Sequence, residues 1–234
     1  MTRGILIAGN ESGLSQAIAA EAEKRVEHYA AALISSRLSG APRPSASAET
    51  RKNKEQAELP AQPRIDLQWN PGSPISARTL VLAAENRLGQ INEAVLVCAP
   101  PSIRCPAAEL SLADIEVMVN DHIKGWFFLV KELSAVFRSR RQGTLALVFS
   151  EAGAGGGKDD AADIMGPAAL ASFQAFTRSI LASAAAEPYA ALGFSCTDAG
   201  AEAGFAAHIF KFLDEGNKKN SGKLLKYGKF SFLK

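Results

Sequence analysis

No charge of either sign dominates this sequence: 26 lysine and arginine residues stand against 24 aspartate and glutamate, a net charge of +2. That balance argues against a nucleic-acid binder held by phosphate contacts. The one local excess is a run of lysines at the C-terminus, Lys218, Lys219, Lys223, Lys226, Lys229 and Lys234, which reads as a solvated tail and edge strand. Cysteine is scarce. Cys98, Cys105 and Cys196 are odd in number and lack metal-ligand spacing, so they read as ordinary thiols in a reducing, cytoplasmic setting. No apolar run is long enough to span a membrane, so no membrane contact is expected. The N-terminal stretch Gly4-Ile5-Leu6-Ile7 is too short for a secretory leader and runs straight into glycines. Tyrosine is limited to Tyr29, Tyr189 and Tyr227.

What is present is core-forming material. Hydrophobic residues make up 47% of 234 positions, enough for a single domain over 1–234. Short apolar runs alternate with segments of helical spacing. Strands are expected at 4–8, 30–34, 64–69, 94–99, 143–150, 189–196 and 222–229. A glycine loop, Gly9 to Gly13, follows the first strand and leads into a helix carrying Leu14, Ala17, Ile18 and Ala22. Further helices are expected over about 75–89, 112–138, 166–186 and 203–214. Residues 38–62 are rich in Pro, Ser, Ala, Glu and Lys, with almost no large apolar side chain, which predicts a mobile insertion. The Gly-rich stretch from Gly153 to Asp160 reads as a flexible loop. Strands alternating with helices predict a doubly wound α/β fold of the Rossmann type: a mainly parallel, seven-stranded sheet with helices on both faces, three layers in all.

The loop Ala8-Gly9-Asn10-Glu11-Ser12-Gly13-Leu14-Ser15 stands between first strand and first helix. In that position Gly9 permits a tight turn and Gly13 a close approach of backbone to a pyrophosphate, which the helix N-terminus attracts through its free N–H groups and dipole. The alternative is a glycine turn that only starts a helix. The loop resembles the Thr-Gly-x-x-x-Gly-Ile-Gly of the short-chain dehydrogenase/reductase family, with Ala8 for Thr, Leu14 for Ile and Ser15 for the third Gly. Ser15 adds a side chain where helix and strand pack closest, and Glu11 adds a negative charge near the phosphates. The resemblance covers nearly the whole chain outside 38–62. It implies a cofactor lined by Gly9, Asn10, Ser12, Gly13 and Leu14, by Gln68 and Trp69 after the third strand, and by Cys98 and Ala99 after the fourth. The second strand ends in Ser36-Arg37, with no acidic residue to hold an adenosine ribose. Arg37 suits a 2′-phosphate, favouring NADP(H) over NAD(H), unless it is simply an exposed arginine or the cleft binds nothing.

The same resemblance places the family's catalytic groups. His122-Ile123-Lys124-Gly125-Trp126-Phe127-Phe128 matches Asn-x-x-Gly followed by aromatics, with His122 on the asparagine and Asn120 as the other candidate. Ser150 falls on the catalytic serine. The register set by Phe176-Thr177-Arg178-Ser179 puts Gly166 on the catalytic tyrosine and Leu170 on the lysine that lowers its pKa. Four residues beyond the three tyrosines lie Leu33, Gly193 and Ser231, so no Tyr-x-x-x-Lys exists anywhere. Only Asp198 to Ala203 stand where the family inserts a substrate cover. A lone helix histidine such as His122 is more often structural than catalytic. Three readings remain open: a nucleotide-binding sensor or assembly subunit without dehydrogenase chemistry, an NADPH-dependent reductase with a non-standard proton donor, and an interaction protein with an empty cleft. The resemblance implies a homodimer through helices 112–138 and 166–186, and Trp126, Phe127, Phe128, Phe173 and Phe176 exceed what one face needs against the sheet; the alternative is that all five pack inside the monomer.

Overall fold

The computed structural model describes residues 3–35, 63–151 and 163–228. Arg37, the segment 38–62 and the stretch from Gly153 to Asp160 lie outside these, and with them the expectations placed there.

The seven strands are β1 (Ile5–Asn10), β2 (Tyr29–Ile34), β3 (Arg64–Asp66), β4 (Glu93–Cys98), β5 (Thr144–Ser150), β6 (Ala190–Cys196) and β7 (Leu224–Tyr227). Every neighbouring pair is parallel, in the order β3-β2-β1-β4-β5-β6-β7. All six residues of β1 and of β4 are buried, as strands covered on both faces must be. The helices of the described residues are α1 (Gly13–Glu23), α2 (Pro74–Leu88), α3 (Leu112–Val119), α4 (Gly125–Arg140), α5 (Met165–Ser183) and α6 (Glu202–Asp214), of which α3 packs on α5 and the others line the sheet.

Two cores result, one on each face. Alternate strand residues Leu6, Ala8, Leu96, Leu145 and Leu147 meet α2, α4 and α5 through Leu80, Leu129, Leu133, Phe137 and Phe173. The other set, Ile5, Ile7, Val95, Val97, Val148 and Phe194, meets α1 and α6 through Ile18, Phe205, Ile209 and Phe210. The chain lays β1, β2 and β3 outward in one direction. It then returns to place β4 on the other side of β1, so the topology reverses between β1 and β4, where open α/β sheets hold their ligands.

At the amino edge, Arg3 donates to both oxygens of Glu93, at 2.9 and 2.8 Å, and pairs with Asp214 of α6. Asp214 also accepts from Arg25 at 3.0 Å. Burial pushes the Glu93 carboxyl up while Arg3 opposes it. The network ties both halves of the sheet to α6 at the edge opposite the ligand crevice.

Three elements differ from their sequence-based expectation. β1 runs on through Gly9 and Asn10, because the glycine lets β1 lie against β4: a Cβ on Gly9 would stand 2.5 Å from the Val97 carbonyl oxygen. β3 stops at Asp66, short of the expected 69. Leu67 gives one last backbone bond to Ala31, at 2.8 Å, and Trp69 then turns its ring into the core. The expected helix over 112–138 is a continuous helical run whose middle, Asn120–Lys124, is a π turn. The loop Asn70-Pro71-Gly72 presses on that turn. Pro71 lies so close to Gly125 that a Cβ there would come within 2.5 Å of the proline ring.

Candidate nucleotide site

The carboxyl ends of β1, β2 and β4 and the first turn of α1 define the crevice. Ser12 is the N-cap of α1, and its hydroxyl accepts from the Ser15 N–H at 3.1 Å. The Ser15 hydroxyl accepts from the Ser12 N–H at 2.9 Å and donates to the Asn10 carbonyl at 2.6 Å. Ser15, expected to disturb the packing of helix on strand, is instead wholly buried and closes this reciprocal capping box. Its cost to the crevice is in donors: two loop N–H groups are already satisfied from within. The first-turn N–H groups of Gly13 and Leu14 have no partner inside the helix. Gly13 faces open space, with nothing within 4 Å of where a Cβ would stand, so an anion can reach this backbone.

Asn10 spans the switch point. Its side-chain amide donates to the Ala99 carbonyl at 2.5 Å, and its oxygen accepts from the Ala99 N–H at 3.3 Å. Glu11 bends toward β2: its N–H bonds the Ile34 carbonyl at 2.9 Å, and the Ser35 hydroxyl donates to its carboxylate at 2.7 Å. Gln68 is exposed, whereas Trp69 is buried with its indole N–H committed to the Ala32 carbonyl at 3.2 Å. Trp69 is therefore a core residue whose polar atom is unavailable to a ligand. Cys98 is likewise wholly buried, and burial pushes its thiol far above its ordinary pKa, so it lies under the crevice as an inert side chain.

Beyond β4 and β5 stand the positions that carry chemistry in the family. The Ser150 hydroxyl, at the tip of β5, makes a long 3.5 Å contact to the Cys196 carbonyl among its interactions. His122 lies in the π turn, 4% exposed, and its Nδ1 is buried without a hydrogen-bond partner. One turn on, the buried Trp126 indole N–H has the Cys98 thiol as a neighbour. Burial alone holds the His122 pKa down at about 4, so its imidazole is neutral at pH 7.

Gly166 opens α5, and its N–H donates to the Asp163 carboxylate at 3.0 Å. Asp163 in turn sits in an isolated antiparallel bridge with Arg104. A Cβ on Gly166 would meet the Asp163 carboxylate at 2.7 Å and the Pro101 carbonyl at 3.2 Å. Leu170, one turn later, is 8% exposed and belongs to the core with Phe149 and Phe173.

Sequence reasoning did not foresee the Asn10 clamp, the Ser12–Ser15 box, the Glu11–Ser35 bond or the Asp163 cap. Only Ser12 with Ser15 left a trace in the sequence, as a serine three residues from an N-cap serine.

A pH effect follows from His122. Its folded pKa lies below the ordinary 6.5, so the unfolded chain binds a proton that the folded one refuses between pH 6.5 and about 4. Stability should fall as pH drops through that window, by about 3 kcal/mol in all. Urea unfolding at pH 7 and pH 4.5 should show much of this loss in the natural protein and little of it in His122→Phe. Equal losses in both would place the acid sensitivity elsewhere.

No family model and no curated protein matches this sequence. Solved structures do match. A short chain dehydrogenase from Mycobacterium smegmatis superposes with a TM-score of 0.69 at 14% identity, covering 98% of this chain and 92% of that one. ElxO with NADP bound gives 0.68 at 16% identity and 97% of each chain. An NADH-dependent reductase, A1-R', complexed with NAD gives 0.68 at 12% identity, covering 97% of this chain and 95% of that one. The chain has the fold of the short-chain dehydrogenases/reductases. Among the described residues, no helix is long and apolar enough to cross a membrane.

Proposed function

We propose that this protein binds a nicotinamide adenine dinucleotide in the β1–β4 crevice and does not carry out the dehydrogenase step of its structural relatives, serving as a nucleotide sensor or an assembly subunit. The observation that carries the second half lies in the first turns of α5: Gly166, its N–H held by Asp163, and Leu170, packed in the core, offer at their own positions neither a phenol nor an ammonium. Support for the first half comes from the open backbone at Gly13 and the switch point beside it. The Gly13 and Leu14 N–H groups would hold the pyrophosphate. The dinucleotide, when bound, would bring a hydride-carrying ring toward Ser150. The test pairs cofactor fluorescence titration with a turnover assay: binding without oxidation is expected, and robust oxidation overturns the reading.

A second reading, an interaction protein whose cleft stays empty, is favoured by the Asn10 clamp and by the internally satisfied Ser12 and Ser15. Absence of binding in the same titration would select it. The buried thiols of Cys98 and Cys196 are consistent with a reducing, cytoplasmic setting.

Self-association belongs to the proposal. Trp126 and Phe173 are 2% and 1% exposed, and Phe128 and Phe176 pack partly against the same core, so most of the aromatic surplus is used within the subunit. Phe127 on α4 is 53% exposed and leans on Phe176 of α5, with ring centroids 4.6 Å apart. That pair supports a homodimer across α4 and α5. Light scattering at micromolar concentration should report a dimer, and Phe127→Asp should yield monomer with unchanged circular dichroism. A monomeric natural protein would refute the proposal.

A further inference from the structure

The carboxylate of Glu11 is unusual in being fixed while exposed. Its backbone N–H is bonded to Ile34, the last residue of β2, and its side chain is bonded to Ser35, the next one. Two bonds to consecutive residues hold the carboxylate over the carboxyl end of β2. The Ser35 hydroxyl bonds one carboxylate oxygen and leaves the other with no partner among the described residues. In doubly wound nucleotide folds an acidic side chain over this strand end accepts from the 2′-hydroxyl of the adenosine ribose. Here the β1–α1 loop delivers the acid, not β2 itself.

We propose that Glu11 is the specificity-determining residue of the crevice and selects an unmodified ribose: NAD(H) is accepted and the 2′-phosphorylated form disfavoured. The inference rests on the nucleotide-binding reading above. A free 2′-hydroxyl donates to the open carboxylate oxygen. A 2′-phosphate offers no such donor at neutral pH and brings two negative charges against a third that Ser35 prevents from swinging away. This reverses the preference that Arg37 suggests from sequence alone. An arginine can serve either cofactor, whereas an anchored carboxylate repels only one.

Fluorescence titration of the full chain with NADH and with NADPH decides the matter, alongside Glu11→Gln and Ser35→Ala. Glu11 is exposed, so its replacement should leave the circular dichroism unchanged. The natural protein should bind NADH about tenfold or more tightly than NADPH. Glu11→Gln should bring the two within a few-fold of each other, chiefly by strengthening NADPH, and Ser35→Ala should move part of the way by releasing the carboxylate. NADPH bound as tightly as NADH by the natural protein, or a preference unmoved in Glu11→Gln, overturns the assignment to Glu11 while leaving nucleotide binding intact. No binding of either cofactor overturns the nucleotide reading itself, and this inference with it.

Discussion

Leu170→Lys should unfold at a markedly lower temperature than the natural protein. Leu170 is 8% exposed, packed in the core that α5 shares with β5 and α4. The side chains packed there are hydrocarbon, so an ammonium in Leu170's place would be buried away from water. An unpaired buried charge costs about 3 to 5 kcal/mol, which for a chain of this size lowers the melting temperature by roughly 10 °C or more. The loss should shrink as pH rises toward 10. Burial depresses the lysine pKa, so the folded protein sheds the proton before the unfolded one does, and its relative stability recovers across that interval. The double variant Gly166→Tyr, Leu170→Lys should be no more active than its parent. Its tyrosine must displace the Asp163 cap, and the Asp198 to Ala203 connection supplies no cover over a substrate. Thermal melts at pH 7 and pH 10 check the first claim. A Leu170→Lys protein as stable as the natural one would mean that the side chain finds water, and that the α5 N-terminus is more open than the packing allows.

The fold was legible because burial on both faces leaves a plain signature. Ile5 to Ala8, Ala94 to Cys98 and Leu145 to Phe149 are apolar runs too short for helices, each separated by amphipathic segments of helical length. The elements that went astray were those set by single contacts between distant residues. Nothing in Leu67-Gln68-Trp69 announces that the indole will leave the sheet for the Ala32 carbonyl. The π turn at Asn120–Lys124 coincides with the approach of Pro71 to Gly125, 54 positions apart in sequence by their numbering, which no local pattern encodes. The candidate site was legible as a set of positions and not as a set of bonds. Gly9 lies near the end of β1, Gly13 opens α1, Ser150 ends β5, and Gly166 and Leu170 lie in the first turns of α5. Asn10 and Glu11 reach across the carboxyl edge to Ala99 and Ser35, and those pairings exist only once the sheet is built.

The natural protein should show no cofactor-dependent turnover of ketones or alcohols above background. Carbonyl reduction by hydride leaves an alkoxide that must take up a proton as it forms. In the first turns of α5, Gly166 and Leu170 themselves offer no hydroxyl and no ammonium. His122 is neutral at pH 7, with one ring nitrogen sealed in the interior. General acid catalysis alone contributes on the order of 10²–10⁴-fold, so even a well-placed hydride would transfer slowly.

The most direct measurement follows the fluorescence of bound NADH and NADPH over hours, with and without a panel of aldehydes and ketones. The account predicts a saturable binding signal that persists unchanged when the carbonyl compounds are added. Steady loss of the reduced cofactor, abolished by Ser150→Ala or His122→Ala, would contradict it and establish a working reductase.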